Sequence, residues 1–194
     1  MIAGLLLAAG RSSRFGGDKL LAPLRGRPVI RWSADALAAS VSQLYVVVPP
    51  EADALRDALR GLDVAFVEHR SRDDGLGSSI AAGVSALPAH CEALLLALGD
   101  QPFVRGAESD RLIRHWRRLR PPAVVPSYED GRGHPVLFDR ACFAALTRLT
   151  GDEGARAVLD ELGQQVAGVD SAGPRPIDVD TRDALRALEN GMEE

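Results

Sequence analysis

An apolar run near the N-terminus breaks into a loop of small and basic residues: Leu5-Leu6-Leu7-Ala8-Ala9-Gly10-Arg11-Ser12-Ser13-Arg14-Phe15-Gly16-Gly17-Asp18-Lys19. An apolar run of this length that ends at a glycine is typical of a buried parallel strand. Glycines let backbone N–H groups approach an anion closely, and basic side chains add charge-assisted contacts to phosphate oxygens. The pattern predicts a polyphosphate-binding loop after a strand; the alternative is a surface loop made basic for solubility.

The loop departs from the two commonest phosphate-binding motifs. Phe15 stands where a Walker loop has its second glycine, and Lys19 is followed by Leu20 instead of serine or threonine. Ser12 replaces the second glycine of the dinucleotide fingerprint. A different nucleotide-binding motif is therefore expected.

Apolar runs of strand length alternate with amphipathic segments along the whole chain. The predicted strands cover residues 2–8, 44–48, 64–67, 94–98, 123–125, 135–138, 166–169 and 177–179. The predicted helices cover residues 28–39, 51–59, 77–87, 109–119, 141–149, 154–162 and 181–188. This alternation predicts an α/β fold of three layers, Rossmann-like, with a mostly parallel sheet, helices on both faces and room for an antiparallel member.

Composition sets the broad class of the protein. A length of 194 residues suits one domain over residues 1–194, and 46% hydrophobic with 26% charged residues is ordinary for a soluble globular protein. The net charge of −4 argues against a general nucleic-acid binder. The basic run 114–120 is expected at the solvated end of a helix, with a binding patch as the alternative.

The cysteines and the N-terminus bear on location. Cys91 and Cys142 lack a metal-binding spacing and are expected to be free thiols in a reducing compartment. The N-terminus has no basic leader, and its apolar run is too short for a membrane span. These features predict a cytoplasmic protein that does not act at a membrane.

A second glycine-rich segment occupies residues 72–80. Gly75, Ser78 and Ser79 would place backbone donors and hydroxyl groups at the start of a helix, where a polar or anionic ligand can bind. The alternative is a serine that only caps the helix.

Aspartates follow two predicted strands. Asp100 comes directly after a wholly apolar strand, where a carboxylate is costly without a partner such as a hard cation. Asp178 and Asp180 alternate around Val179 and could meet the same ion. The alternatives are that Asp100 caps a turn and that Asp180 caps the last helix.

These segments resemble one known family. The loop from Leu7 to Lys19 matches the L-A-[AG]-G-x-S-x-R-[FM]-G-x-D-K signature of the MobA-like NTP transferases. The similar segments are G-L-G-S-S at 75–79 (with Gly77 in place of serine), G-D-Q-P at 99–102, G-H-P-V-L-F at 133–138, G-D-E-G-A-R at 151–156 and D-V-D-T at 178–181. Within the family the chain looks most like the molybdenum cofactor cytidylyltransferases, although Arg182 and its neighbours replace the rest of the closing motif.

The resemblance implies a fold of the nucleotide-diphospho-sugar transferase type and a Mg²⁺-dependent transfer of CMP from CTP to molybdenum-loaded molybdopterin. It implies nucleotide binding by Leu7, Ala8, Ala9, Gly10, Lys19, Gly75, Ser78, Ser79 and Asp100. It implies catalytic roles for Arg14, Lys19 and Asp100, and metal binding by Asp100, Asp180 and Asp178. A molybdenum hydroxylase apoenzyme is a further implied partner. His134, by spacing alone a turn residue, would lie on the acceptor side.

Two alternatives stay open. Ala9 stands where guanylyl-transferring relatives carry glycine, which favours CTP, but one methyl group supplies only about 1–3 kcal/mol of discrimination. GTP or another phosphorylated acceptor, such as a sugar or alcohol phosphate, is therefore the first alternative. The second is a non-catalytic carrier of the cofactor.

Overall fold

The computed structural model describes residues 1–10, 14–70, 75–152 and 154–190. Its strands are β1 (Ile2–Leu7), β2 (Pro23–Leu24), β3 (Arg27–Pro28), β4 (Gln43–Val48), β5 (Val64–Glu68), β6 (Ala93–Leu98), β7 (Ala123–Tyr128), β8 (Gly131–Arg132), β9 (Val136–Asp139) and β10 (Val166–Asp170). Its α-helices are α1 (Val29–Ala38), α2 (Asp53–Ala58), α3 (Gly75–Ser85), α4 (Gly106–Leu119), α5 (Phe143–Leu146), α6 (Arg156–Leu162) and α7 (Arg182–Asn190). Short 3-10 helices cover Arg140–Cys142 and Gly163–Gln165.

The main sheet has the strand order β10-β7-β9-β6-β1-β4-β5, and β8 pairs with β7. Strand β1 lies between β6 and β4 and is parallel to both. Strand β9 is antiparallel to its neighbours β6 and β7. All six residues of β1 are buried, as expected for a central parallel strand. The mostly parallel sheet predicted from the sequence is confirmed, including its antiparallel member.

Helices cover both faces of this sheet. Successive side chains of β1 point to opposite faces, so Leu6 packs with Ile30 of α1 while Leu5 packs with Ile80 of α3. The first face also receives α2 and α4, and the second receives α5 and α6. The three-layer architecture is therefore confirmed.

Two predicted elements differ from the structure. Residues 177–179, predicted as a strand, form no strand, because the Val179 N–H bonds to the Asp100 carbonyl (2.9 Å) and the Asp178 carbonyl accepts from the Asp180 N–H (3.0 Å) instead of from a neighbouring strand. The helix predicted over 141–149 reduces to a 3-10 turn and the single α-helical turn of α5. The two-stranded ribbon of β2 and β3 was not predicted, because strands of two residues are too short to show an alternating hydrophobic pattern.

The basic run and the cysteines lie where the sequence predicted them. The basic run forms the C-terminal end of α4, where the Arg120 guanidinium lies 4.0 Å from the centre of the Trp116 ring. Cys91 and Cys142 are buried free thiols, and burial raises the pKa of both. Neither thiol is activated for reaction at neutral pH.

None of the helices within the described ranges is both long and apolar enough to cross a bilayer.

Helix α3 approaches the sheet unusually closely at Gly83. A Cβ atom at this position would lie 2.5 Å from Leu5 Cδ1 and 2.9 Å from Val47 Cγ2, both in buried side chains. We expect Gly83→Ala to destabilise the protein by about 1–2 kcal/mol, because overpacking outweighs the higher helix propensity of alanine. Urea unfolding measures this.

Ser85→Ala on the exposed face of the same helix is the control, with an expected change within about 0.5 kcal/mol. Equal midpoints for Gly83→Ala and Ser85→Ala would contradict the close packing.

Candidate active site

The two predicted ligand-binding loops leave the sheet at one edge. Leu7 ends β1 and pairs with Leu98, which ends β6. The Gly99 N–H then donates to the Leu7 carbonyl at 3.0 Å, which keeps the two chains together beyond the strands. Ligands of open α/β sheets bind outside the carboxyl ends of the strands. The glycine-rich loop and Asp100 therefore lie side by side where a ligand is expected.

Lys19 is the centre of this edge. Its Nζ atom donates to Asp100 Oδ2 at 2.6 Å and to Asp180 Oδ1 at 2.7 Å, so residues 81 and 161 positions away in sequence converge on one ammonium. The side chains of Lys19 and Asp100 are only 14% and 19% exposed. Asp18 Oδ1 accepts from the Leu20 N–H at 3.1 Å, a turn that sets the direction of the lysine.

Burial and pairing act in opposite directions on this charge. Burial alone would lower the pKa of Lys19, but its hydrogen bonds and charge attraction to Asp100 and Asp180 raise it above the ordinary value. The hydrogen bond from Lys19 lowers the pKa of Asp180. Lys19 and Asp180 are therefore both charged at neutral pH.

Asp180 reaches this cluster because Val179 is anchored. The Val179 side chain is buried with Phe15 and Leu188, and its N–H bonds to the Asp100 carbonyl. Asp180 is not the cap of the last helix, since Thr181 Oγ1 accepts from the Ala184 N–H at 3.1 Å instead. Thr181 therefore caps α7, and the carboxylate of Asp180 faces Lys19 instead.

Two of the three predicted metal ligands meet. Asp100 and Asp180 both face the Lys19 ammonium, and two carboxylates beside phosphate oxygens are a donor set that Mg²⁺ accepts. Asp178 does not join them, because its Oδ1 accepts from Gln101 Nε2 at 2.7 Å. Burial raises the pKa of Asp178. Within the described ranges no three acidic, histidine or cysteine side chains form a ready metal cluster.

The first loop presents its polar groups outward. Leu7, Ala8 and Ala9 are buried, whereas Gly10 is exposed. Ala9 is only 2% exposed and its methyl group packs into the core on the α3 side, so only its backbone can face a ligand. Arg14 is 80% exposed, with Nη1 3.7 Å from Asp180 Oδ2. Residues 11–13 lie outside the described residues.

The second loop is pressed against the 150–152 loop. Gly75 has a φ of +82°, and a Cβ atom there would lie 2.3 Å from the Gly151 carbonyl oxygen. The Gly77 N–H donates to that same oxygen at 2.8 Å, and a Cβ at Gly77 would lie 2.7 Å from the Thr150 carbonyl oxygen. The glycine that departs from the family pattern is therefore required by this contact. Residues 71–74 lie outside the described part of the chain.

Ser78 has a local partner on each side. Its hydroxyl donates to the Gly75 carbonyl at 2.8 Å and lies 2.9 Å from His69 Nε2. Because a hydroxyl carries one hydrogen, the His69 ring must donate to it. Ser78 thus ties the residue that follows β5 to α3, while Ser79 is buried in the same turn. Sequence reasoning missed His69, whose only signal was its position directly after a strand.

A cavity of about 780 Å³ opens beside the Lys19 cluster. Its wall includes Gln101 and Asp178, together with Gly133 and His134 of the G-H-P segment and with residues 154–156. Three arginines line it, of which Arg175 pairs with Asp130 at 3.0 Å and Arg156 pairs with Asp160 at 3.6 Å. Arg132 forms no ion pair with any described residue. The wall also contains Asp130, Asp160 and Asp178, so the cavity is large and polar, with as many acidic as basic side chains in its lining.

His134 forms part of the same wall, between β8 and β9. Burial lowers the pKa of His134 to about 4, although the nearby Asp100 charge opposes this. The imidazole is therefore neutral at physiological pH and can exchange hydrogen bonds with a ligand without adding charge.

The comparison with protein families identifies the family of this chain. A profile of the MobA-like NTP transferase domain matches residues 4–166, which include the glycine-rich loop, Asp100 and the G-H-P segment. The chain belongs to the MobA-like NTP transferase family. It is thus a nucleotidyltransferase by family.

Its relatives differ in what their names say they do. The chain is 32% identical over 167 residues to the nicotine blue oxidoreductase of Paenarthrobacter nicotinovorans, covering 81% of each protein. It is 39% identical over 135 residues to a molybdenum cofactor guanylyltransferase of Cereibacter sphaeroides, covering 69% of this chain and 65% of that protein. Rv0371c from Mycobacterium tuberculosis H37Rv has a TM-score of 0.84 and 35% identity over 96% of each chain. That protein has also been solved in complex with manganese, with a TM-score of 0.82, 33% identity and coverage of 98% of this chain and 99% of that chain.

The low pKa of His134 predicts a pH-dependent stability. In the unfolded chain the His134 ring is protonated below about pH 6.5, whereas in the folded protein it is protonated only below about pH 4. Stability is therefore fully present above pH 6.5 and falls as the pH drops toward 4. A difference of one pKa unit corresponds to about 1.4 kcal/mol of unfolding free energy. Between pH 7 and 4.5 we therefore expect the unfolding free energy of His134→Gln to fall by about 2 kcal/mol less than that of the wild type.

Urea unfolding at both pH values measures the difference, and the other titrating groups cancel because both proteins carry them. An equal loss of stability in both proteins would contradict the buried, neutral state of the ring.

Proposed function

We propose that this protein transfers CMP from CTP to molybdenum-loaded molybdopterin, with Mg²⁺ and with release of pyrophosphate. The observation that carries the proposal is the convergence of Asp100 and Asp180 on Lys19 at the carboxyl edge of the sheet, beside the large cavity. In the proposal the triphosphate binds at the Lys19 cluster and the acceptor binds in the cavity, which would bring the two substrates together for transfer.

The chain's own groups suit this reaction. Backbone donors of the Gly10 loop and the cations Arg14 and Lys19 would hold the triphosphate. An oxygen of the acceptor's terminal phosphate would attack the α-phosphorus, forming the new P–O bond as the bond to the β-phosphate oxygen breaks. The attacking phosphate is already ionised at neutral pH, because its second pKa is about 6, so no general base is required. The protein's contribution is positioning and charge neutralisation.

Asp100 and Asp180 would hold the Mg²⁺ ion, which when bound supplies further neutralisation of phosphate charge. The manganese complex of Rv0371c supports a divalent ion in this fold. Lys19, in contact with both carboxylates, is placed to share the same negative charges.

The cavity favours the molybdopterin acceptor over a small sugar phosphate. A volume of about 780 Å³ suits a large ligand, and Arg132, which forms no ion pair with a described residue, is the cation of the wall that could bind its phosphate. The relative from Cereibacter sphaeroides, named as a molybdenum cofactor guanylyltransferase, supports the same acceptor class.

The choice of CTP depends on the L-A-A-G motif and not on a methyl contact. Ala9 packs into the core, so it could influence the base only by shifting the backbone of the loop. The guanylyltransferase relative keeps GTP as the first alternative. The relative named nicotine blue oxidoreductase supports a second alternative, in which the protein does not transfer a nucleotide. An example is a protein that carries the cofactor to a molybdenum hydroxylase.

The deciding experiment measures pyrophosphate release with molybdenum-loaded molybdopterin, Mg²⁺ and each of CTP, GTP, ATP and UTP. We expect release with CTP and a loss of at least about a hundredfold in Asp100→Asn, since a carboxylate facing the phosphates is removed. Asp178→Asn, the matched control, should lose much less, because Asp178 is bonded to Gln101 and not to Lys19.

Release with GTP alone would replace CTP in the proposal, and release only with sugar or alcohol phosphates would replace the acceptor. No release with any nucleotide or acceptor would leave the carrier role, which retention and transfer of the cofactor to a molybdenum hydroxylase apoenzyme would then test.

A further inference from the structure

Arg182 occupies a position that its own helix disfavours. It is the first residue of α7, where the unsatisfied N–H groups create a positive potential that a cation opposes. A residue that opposes the local helix preference in this way is often one with a functional role. Its side chain leaves the helix and extends over the glycine-rich loop.

The contacts of Arg182 place it on that loop. Its Cζ atom lies 5.2 Å from the centre of the Phe15 ring, and its Nη2 donates to the Gly16 carbonyl at 3.4 Å. Phe15 is buried in a cluster with Val179 and Leu188, so the surface under the guanidinium is fixed. A guanidinium has five N–H donors, and the contact with Gly16 uses Nη2 alone among the described residues.

The charge of Arg182 is not compensated within the described residues. Its neighbours in sequence are engaged elsewhere, since Asp183 pairs with Arg186 at 3.2 Å and Asp180 pairs with Lys19. Arg182 is exposed and does not line the acceptor cavity. An exposed cation over a phosphate-binding loop favours an anionic partner from solution.

The loop provides the space for such a partner. Gly16 has a φ of +71°, and a Cβ atom at that position would meet no other group within 4 Å. A Cβ at Gly17 would lie 3.6 Å from Arg182 Nη2. Arg14 borders the same loop through its contact with Asp180. Among the described residues, the surface around Gly16 and Gly17 therefore has space for a ligand, with Arg14 and Arg182 at its border.

We propose that Arg182 binds the pyrophosphate portion of the bound nucleotide, the part that leaves in the reaction. The inference rests on the proposed nucleotidyl transfer. The reacting end lies at Asp100 beside the acceptor cavity, while Arg182 lies over Gly16 and Gly17, outside that cavity. The guanidinium therefore neutralises the leaving group and not the α-phosphate.

Arg182→Gln tests this assignment, because it keeps the stem over Phe15 and removes the charge. Isothermal titration with inorganic pyrophosphate and Mg²⁺, without any acceptor, should give a Kd raised by roughly tenfold, as for loss of a charged hydrogen bond. The KM for the nucleotide should rise similarly, with kcat within about twofold, and Arg182→Lys should restore part of both. The thermal midpoint should stay within about 2 °C, because the residue is exposed.

Arg186→Gln is the matched control, since it removes the same charge one turn further along α7, where Asp183 already pairs with it. Equal affinities for Arg182→Gln and the wild type, or an equal loss in both variants, would overturn the assignment. A lowered thermal midpoint that Arg182→Lys does not restore would show that the residue only covers Phe15. If pyrophosphate affinity depends on Arg182 while no nucleotide is turned over, the assignment stands and only the proposed reaction fails.

Discussion

The site depends on one buried cation. An ammonium as enclosed as that of Lys19 is stable only beside negative charge, and carboxylates as enclosed as that of Asp100 require a cation in return. This mutual requirement draws together the first loop, the end of β6 and the segment before α7, although these lie far apart in sequence. The same charges that fix the apo structure are the ones that a metal–nucleotide complex would engage.

Close backbone contact shapes the second half of the site. Glycines at 75 and 77 let the start of α3 touch the Thr150–Asp152 loop, and Gly83 lets the helix lie directly on Leu5 and Val47. Side chains at these positions would push the helix outward and widen the edge between the nucleotide loop and the acceptor cavity. The glycines therefore set how closely α3 approaches the sheet and the Thr150–Asp152 loop.

Family membership fixes the architecture but leaves the chemistry of the substrates open. Two relatives of comparable similarity are named as a guanylyltransferase and as an oxidoreductase. Membership of the family is therefore compatible with different activities. In the proposed reaction, base choice would depend on backbone positions around Ala9, and acceptor choice would depend on the cavity wall that includes Arg132 and Arg175. Such differences amount to a few kcal/mol of contact energy, which a fold alone does not specify.

The sequence by itself determined the sheet, most helices and the two charged groups Lys19 and Asp100, because apolar periodicity and loop composition are local properties. It could not determine which aspartate meets the lysine, since Asp180 and Asp178 differ only in the partners that Val179 and Gln101 bring to them. It missed His69 and misjudged residues 177–179, because both depend on contacts across more than one element. The positions of Ser78, Ala9 and Arg182 were decided by tertiary packing, since burial and hydrogen-bond partners arise only when distant segments meet.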